Sequence, residues 1–382
     1  MRTFIRAILK FFSEADIFTL ILCLISAIFG ILLISSVTSN FEVGNELYVQ
    51  IGALIIGIAM FVLFSYVDID IMADKSIILL VFSALFIGTL NFWGVGMEEV
   101  GNRAWLRFFG IGIQPAEVVK IPYIIIIAKM ISDFRERKSL NDFVSLIQIV
   151  LVFAILFVLI LIVSADLGSA LVYAAILIIM LFVGGVKLRW FALSGAVVAV
   201  GFPLAWNNYM SAGQKARILA PYFPDALEPE VYDRIAWHAN QSVNAISSGA
   251  FLGQGLGNGY YTQRQFIPAQ HTDFIFSAAG EELGFIGCMV IVTLLVTIIV
   301  RCVYVGTKSN NLLGMLVCTG VAAMFITQMI ENIGMCLAIM PVIGVTLPFF
   351  SYGGSSLVTA FAAVGIVSGI KMRPKPIRFR SL

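Results

Sequence analysis

One stretch of the chain concentrates groups that can move protons. Phe266-Ile267-Pro268-Ala269-Gln270-His271-Thr272-Asp273-Phe274-Ile275-Phe276 leads into an apolar run, and His271, Asp273, Glu281 and Glu282 fall within 12 residues of a chain that is only 12% charged. A carboxylate at such a boundary can accept a proton from a hydroxyl. Thr272 or Asp273 could equally cap the helix that follows, but capping needs only one of these groups. Glu117 and Lys120 lie three apart, share a helix face and can pair; inside an apolar segment they either lock helices together or line a cavity. Asp166 and Glu331 stand at the ends of other apolar runs. The glycines at 249, 253, 255, 257 and 259 lack the Gly-Lys-Ser/Thr ending of a phosphate loop, so they read as a backbone that bends tightly or re-enters the membrane edge against protein. Ser355 and Ser356 open an apolar run with small hydroxyl residues, suited to close helix packing or to donating to an anionic headgroup. His238 has no acidic or Cys neighbour at ligand spacing and reads as a surface residue.

The elements that must hold these groups are membrane spans. Hydrophobic residues make up 60% of the 382, too many for a water-soluble surface, and the net charge of +2 gives no basic excess for nucleic acid. The five cysteines, an odd number within apolar runs, show neither a disulfide framework nor metal spacing. A span needs about 20 apolar residues. Such runs occur at Ile17 to Phe41, Leu47 to Val67, Ser76 to Met97, Phe143 to Ser164, Leu167 to Val186, Trp190 to Gln214, Leu283 to Val300, Ser309 to Ile330 and Gly353 to Ile370. Pro115 to Met130, interrupted by Glu117, Lys120 and Lys129, is the fourth in order and the least regular of ten. The fold class is therefore an all-α polytopic membrane protein of about ten helices, its first helix uncleaved, and residues 1–382 form a single transmembrane domain. Placing both termini in the cytoplasm puts 17 Lys and Arg inside against 6 outside, which sets the orientation as N-in and C-in. The segments Val95 to Gln114, Asn207 to Thr272 and Ala338 to Tyr352 then lie outside. The second, between the seventh and eighth spans, is 66 residues long, rich in aromatics and glycine, and expected to be ordered.

Together these motifs resemble the SEDS family, the RodA, FtsW and SpoVE proteins of bacterial wall synthesis. The resemblance runs through Gln114-Pro115-Ala116-Glu117-Val118-Val119-Lys120, Asp166-Leu167-Gly168, Gln241 with Ala245-Ile246, the glycine run, Phe266 to Glu282, and Asn332-Ile333-Gly334-Met335 to Ser356, which is nearly the whole chain. It implies a multi-pass protein of the bacterial cytoplasmic membrane: a peptidoglycan glycosyltransferase that polymerises lipid II, an undecaprenyl-diphosphate-linked disaccharide-peptide, into glycan strands at the outer face. It implies Asp273 as the essential carboxylate, Trp105 as a residue implicated in activity, and Glu117 with Lys120 as the family's fourth-span pair. It also implies a class B penicillin-binding protein as partner and a divalent cation, Mg or Mn, with no organic cofactor and no ligand set identified. Asn332-Ile333-Gly334-Met335, the Phe-Ile-Pro before His271 and the short N-terminus lean toward the elongation branch and rod shape. The chain departs from the usual pattern at Ser164-Ala165, Ala116, Ala338 and Ile343, where Gln-Pro, Ser, Gly and Thr are common.

The chemistry agrees with that implication. A diphosphate leaves without being protonated, unlike the alkoxide of glycoside hydrolysis, so the reaction needs one base and a source of positive charge. Asp273 supplies the base. Lys215, Arg217, Arg264 or a bound cation would offset the diphosphate, with His271, Glu281, Glu282, Ser355 and Ser356 in supporting positions and membrane lipid around the grooves that take the polyprenyl chains. Two rival readings use the same composition: a transporter that flips a lipid-linked precursor, and a non-catalytic scaffold for a wall-synthesis partner.

Overall fold

The computed structural model describes residues 11, 13–39, 45–96, 103–108, 111–208 and 210–373. The cationic positions Arg2, Arg6, Lys10, Lys375, Arg378 and Arg380, and the expected span ends Phe41 and Met97, lie outside them. The helices that matter for the site are α1 (Ile17–Val37), α2 (Glu46–Tyr66), α3 (Ser76–Gly88), α4 (Pro115–Glu136), α5 (Phe143–Leu159), α6 (Leu167–Gly184), α7 (Leu188–Asn208), α8 (Ala212–Leu219), α9 (Pro229–Ser248), α10 (Ile275–Thr307), α11 (Leu312–Cys336) and α12 (Gly354–Met372). Among the described residues nine helices are long and apolar enough to cross a membrane, and α4, of similar length but carrying more charge, is the tenth of the expected set. Along α1 the residues Phe18, Ile21, Ile25, Ile28 and Leu32 are exposed at helical spacing, while Leu20, Cys23, Ala27 and Leu33 are buried on the opposite side. A helix apolar on both faces belongs in lipid.

The irregular fourth span is the centre of the bundle. Pro115 sits at the first turn of α4, where its missing N–H costs nothing, and nearly every residue from Pro115 to Ala128 is buried against α3, α6, α11 and α12. Its charges are tolerated because they face protein and each other, not lipid. α12 runs along α2 with Gly365 and Gly369 against the Phe61 and Ser65 backbone, so close that an added Cβ would meet the Phe61 and Ser65 carbonyl oxygens at 2.6 Å. This is small-residue helix packing.

The helical reading gains one element. Three short strands form an antiparallel sheet, β1 (Gly94–Val95), β2 (Trp105–Phe108) and β3 (Ile111–Ile113), with Val95 opposite Trp105 and Arg107 opposite Gly112. Two helix ends differ from the limits of the uncharged runs. α10 begins at Ile275, close to the expected helix start beside Thr272 and Asp273, and it contains Glu281 and Glu282, which are satisfied inside the protein. The uncharged run from Trp190 reaches Gln214, but α7 stops at Asn208, where the long segment is expected to begin, and a capping box between Ser211 and Gln214 starts the separate helix α8. The long segment 207–272 is ordered into α8, α9 and short turns, as expected. Two departures from the family pattern, Ala165 and Ala338, hold left-handed φ angles of 54° and 55°, each costing a side-chain-bearing residue about 1–2 kcal/mol.

Candidate active site

Asp273 lies on the turn that enters α10. Ala269, at φ 46°, turns the chain so that its carbonyl accepts the N–H groups of Thr272, Asp273 and Phe274 at 3.1, 3.0 and 3.3 Å. The next carbonyls are then tied to distant segments. That of His271 accepts from Tyr352 N–H at 2.8 Å, that of Thr272 from Ser351 Oγ at 2.6 Å, and that of Asp273 from Asn332 Nδ2 at 2.8 Å. Asn332 also donates to the Val345 carbonyl at 2.7 Å, and Ser351 Oγ accepts from Leu347 N–H at 2.8 Å. Three consecutive carbonyls are therefore held by α11 and the segment before α12, which fixes the direction of the Asp273 side chain. The capping explanation loses its basis, because Phe274 is the residue that precedes the first turn of α10, and among the described residues no backbone N–H donates to the Asp273 carboxylate.

The carboxylate itself is half-buried beside Gly344, whose φ of 73° suits glycine, and a Cβ there would stand 3.3 Å from Asp273 Oδ2. Burial pushes the Asp273 carboxyl up to about 6; a hydrogen bond from Thr272 opposes this and the charge of Asp166 adds to it. Asp166 caps α6, accepting from Ser169 N–H at 2.9 Å, Ser169 Oγ at 2.7 Å and Gln114 Nε2 at 2.8 Å. Its carboxyl is also raised, chiefly by burial. Gly168 lies tight against Ile343 and Val345. The Asp166 turn and the Asp273 turn thus grip the same loop from two sides.

The other expected residues divide into three groups. Glu281 and Glu282 are fully buried struts for the outer segment: Glu281 accepts from Tyr261 N–H, Thr262 N–H and Thr262 Oγ1 at 2.7, 2.8 and 2.6 Å, and Glu282 from Ser36 Oγ and Gln263 Nε2 at 2.6 and 2.9 Å. The glycine run bends around them. Gly253 and Gly284, at φ 79° and 66°, meet backbone to backbone where α10 kinks. His271, its ring 5.4 Å from that of Tyr352, and Ser355 and Ser356, bonded to Gln114 N–H and Thr346 Oγ1 at 3.2 and 3.0 Å, lie next to the Asp273 turn. Burial lowers the His271 imidazole, with Glu46 opposing. Trp105 lies on β2 with its ring over Gly112. Of the cations, Lys215 stands over the Trp206 ring at 5.9 Å and Arg264 over Tyr260 at 4.2 Å, and neither is brought to Asp273 by a contact among the described residues.

Arg217 is placed differently, and it shows what sequence reasoning missed. His238, expected on the surface, is half-buried with its ring 6.5 Å from Phe274, and its imidazole is lowered by burial and then by the charge of Arg217. The His238 ring therefore lies near the start of α10, and Arg217 is linked to it as a charge felt by that imidazole, with no contact to Asp273 among the described residues. The signal was available in α9, where Ile235, Ala236, Ala239, Ser242, Ala245 and Ile246 recur at helical spacing around His238. Asp166 and Asn332 stand in the motifs, but no local pattern says what they touch. Glu117 and Lys120 form a buried pair at 2.5 Å one helix away.

Below this site lies a cavity of about 790 Å³ between α2, α3, α4 and α12. Val49, Gly52, Ile56, Val118 and Val358 line it, and Gly354 and Ser355 stand at its upper end, directly after the segment clamped to the Asp273 turn. Gly112 and Ile113 of β3 form part of the same end.

Comparison with known proteins agrees with this architecture. The family model described as "Cell cycle protein", FTSW_RODA_SPOVE, matches residues 14–375. A probable peptidoglycan glycosyltransferase FtsW of Trichlorobacter lovleyi is 32% identical over 95% of each chain. The peptidoglycan glycosyltransferase MrdB of Escherichia coli K12 is 32% identical over 73% of this chain and 74% of that one. A solved chain from a study of polymerization and crosslinking by a peptidoglycan synthase complex covers 94% of this chain and 97% of its own at 26% identity, with a TM-score of 0.77. The rod shape determining protein RodA of Thermus thermophilus shares the fold at a TM-score of 0.68 and 23% identity, over 94% and 96% of the two chains. The chain belongs to the FtsW/RodA/SpoVE (SEDS) family, a family of peptidoglycan glycosyltransferases.

Proposed function

We propose that the chain polymerises lipid II at the outer face of the bacterial cytoplasmic membrane, with Asp273 as the base that takes the proton of the acceptor sugar hydroxyl. As that proton leaves, the hydroxyl oxygen bonds to the anomeric carbon of the donor, and the bond from that carbon to the undecaprenyl diphosphate breaks. The observation that carries this reading is a carboxylate, raised to about 6, on a turn bonded to the segment that runs directly into the upper end of a large apolar groove. A base near the working pH is effective, and a groove suits a polyprenyl tail. Both reactants are tethered to the bilayer, which confines them near the site.

Lys215, Arg217 or Arg264 of the outer segment, or a bound cation, would offset the charge of the leaving diphosphate. Among the described residues no three His, Cys, Asp or Glu side chains converge as a metal cage. A divalent cation would instead be held chiefly by the diphosphate oxygens with Asp273 beside them, a set that suits Mg²⁺, and would supply positive charge to the leaving group. The direct pairing of Glu117 with Lys120 speaks against an open polar track of the kind a precursor flippase would use. The similar solved chain comes from a complex that joins polymerization to crosslinking, which supports a class B penicillin-binding protein as the transpeptidase partner here.

The groove has a direct test. Gly52 faces it with open space where a Cβ would be. Gly52→Leu should therefore leave the fold intact and raise the KM for lipid II about tenfold with kcat little changed, the loss expected from displacing one or two methylene contacts. An unchanged KM would remove the groove from the mechanism. We further assign the chain to cell elongation, on the lean of Asn332-Ile333-Gly334-Met335 toward that branch. Depletion should then round the cells, and filaments would reassign it to division.

A further inference from the structure

At the end of the bundle opposite Asp273, four cations from two helix ends surround one small space. Arg301 and Lys308 come from the end of α10, Lys371 and Arg373 from the end of α12, and Tyr304, Ser309 and Asn310 are among the other residues that line a cavity of about 90 Å³. That is room for several waters or a phosphate group and not for a whole lipid. Like charges so close repel unless an anion lies among them. Two carboxylates are present. Asp16, fully buried beneath the cavity, takes Arg301 Nε and Nη2 at 2.9 Å each and Lys371 Nζ at 3.2 Å; Asp68 stands 3.5 Å from Arg373. Asp70, the next acid, bonds Asn311 and none of the four. Among the described residues, four cations against two paired carboxylates leave two positive charges uncompensated, and Lys308 has no carboxylate within ion-pair distance.

What lies beside the cavity identifies the anion. Arg301 stands over the rings of Phe18 and Tyr304 at 5.8 and 5.0 Å, and Lys308 over Tyr304 at 5.8 Å. Phe18, Val300, Val303 and Tyr304 are all about half exposed and form an apolar stripe that starts at the cations and runs up α1 and α10. A free anion has no use for that stripe, whereas acyl chains do. The excess of Lys and Arg assigns this end to the cytoplasmic leaflet, where basic pockets between spans bind anionic headgroups. We propose that the cavity between the ends of α10 and α12 binds the phosphate of an anionic glycerophospholipid of the cytoplasmic leaflet, its acyl chains lying on the exposed stripe of α1 and α10. A lipid seated there braces three elements, the starts of α1 and the ends of α10 and α12, around Asp16.

Native mass spectrometry of the full chain, released from mixtures of phosphatidylglycerol and phosphatidylcholine, tests this together with thermal unfolding in each lipid. The wild type should retain phosphatidylglycerol preferentially and gain Tm from it by mass action. Lys308 is exposed and ends its helix, so Lys308→Gln should fold normally; it should reduce phosphatidylglycerol retention about fivefold, as the loss of one cation near an anionic lipid implies, while Lys308→Arg keeps it. Equal retention of the two lipids, or no change in Lys308→Gln, would overturn the proposal. So would protein in phosphatidylcholine alone gaining the same Tm from millimolar inorganic phosphate, since that would make it a free-phosphate site.

Discussion

Asp273→Asn is expected to leave folding and lipid II binding intact and to cut polymer formation by about 10²–10⁴-fold, the range supplied by a positioned general base. The backbone of the turn is held through the carbonyls of His271, Thr272 and Asp273, none of which the substitution touches, and an amide fills the place of the carboxylate beside Gly344. What it lacks is the ability to accept a proton. The wild-type rate should follow the same group: with the carboxyl raised to about 6, the active deprotonated form dominates above that pH and is lost as pH falls through it. Product sizing from labelled lipid II, with a transpeptidase partner and a divalent cation present, measures both effects. Full polymer yield from the Asn protein would eliminate Asp273 as the base. No polymer from the wild type under conditions where the partner is active would favour the transport or scaffold reading instead.

Lys120→Met is expected to destabilise the protein by about 3–5 kcal/mol, because it strands the Glu117 carboxylate in the centre of the bundle without its partner. Charge reversal at either position alone, Glu117→Lys or Lys120→Glu, should be worse than the two together, measured as the loss of folded protein on heating in detergent. Recovery in the double swap should be partial. Lys120 also acts electrostatically on Glu331 of α11, and the swap turns a carboxylate toward that acid. Equal loss in all three variants would show that the pair is not a direct one.

Much of this was legible along the chain. The spans follow from runs of apolar residues, the Glu117 and Lys120 pair from their spacing of three, and the bend at the glycine run from its composition. What was not legible shares a physical feature. The sheet consists of strands of two to four residues, too short to establish a period. α9 carries a helical pattern, but the expectation for that segment stopped at order without assigning a helix. The role of Glu281 and Glu282 within α10 was hidden too, because the donors that satisfy them lie 19 or 20 residues earlier in the chain.

By itself, the amino-acid sequence determined that this chain is a multi-pass membrane protein, roughly which runs form its long apolar helices, and that Asp273 directly precedes one of them, because burial in lipid and helix formation depend on neighbours a few residues apart. Only the tertiary structure decided what holds that carboxylate and what it faces. Asn332 donates to the Asp273 backbone carbonyl from 59 residues away and Ser351 to that of Thr272 from 79, Asp166 acts on the carboxylate from another helix, and the groove is walled by four helices drawn from the first and last thirds of the chain. Contacts of that range arise from how helices pack, and packing depends on shape complementarity between surfaces that no local run of residues encodes.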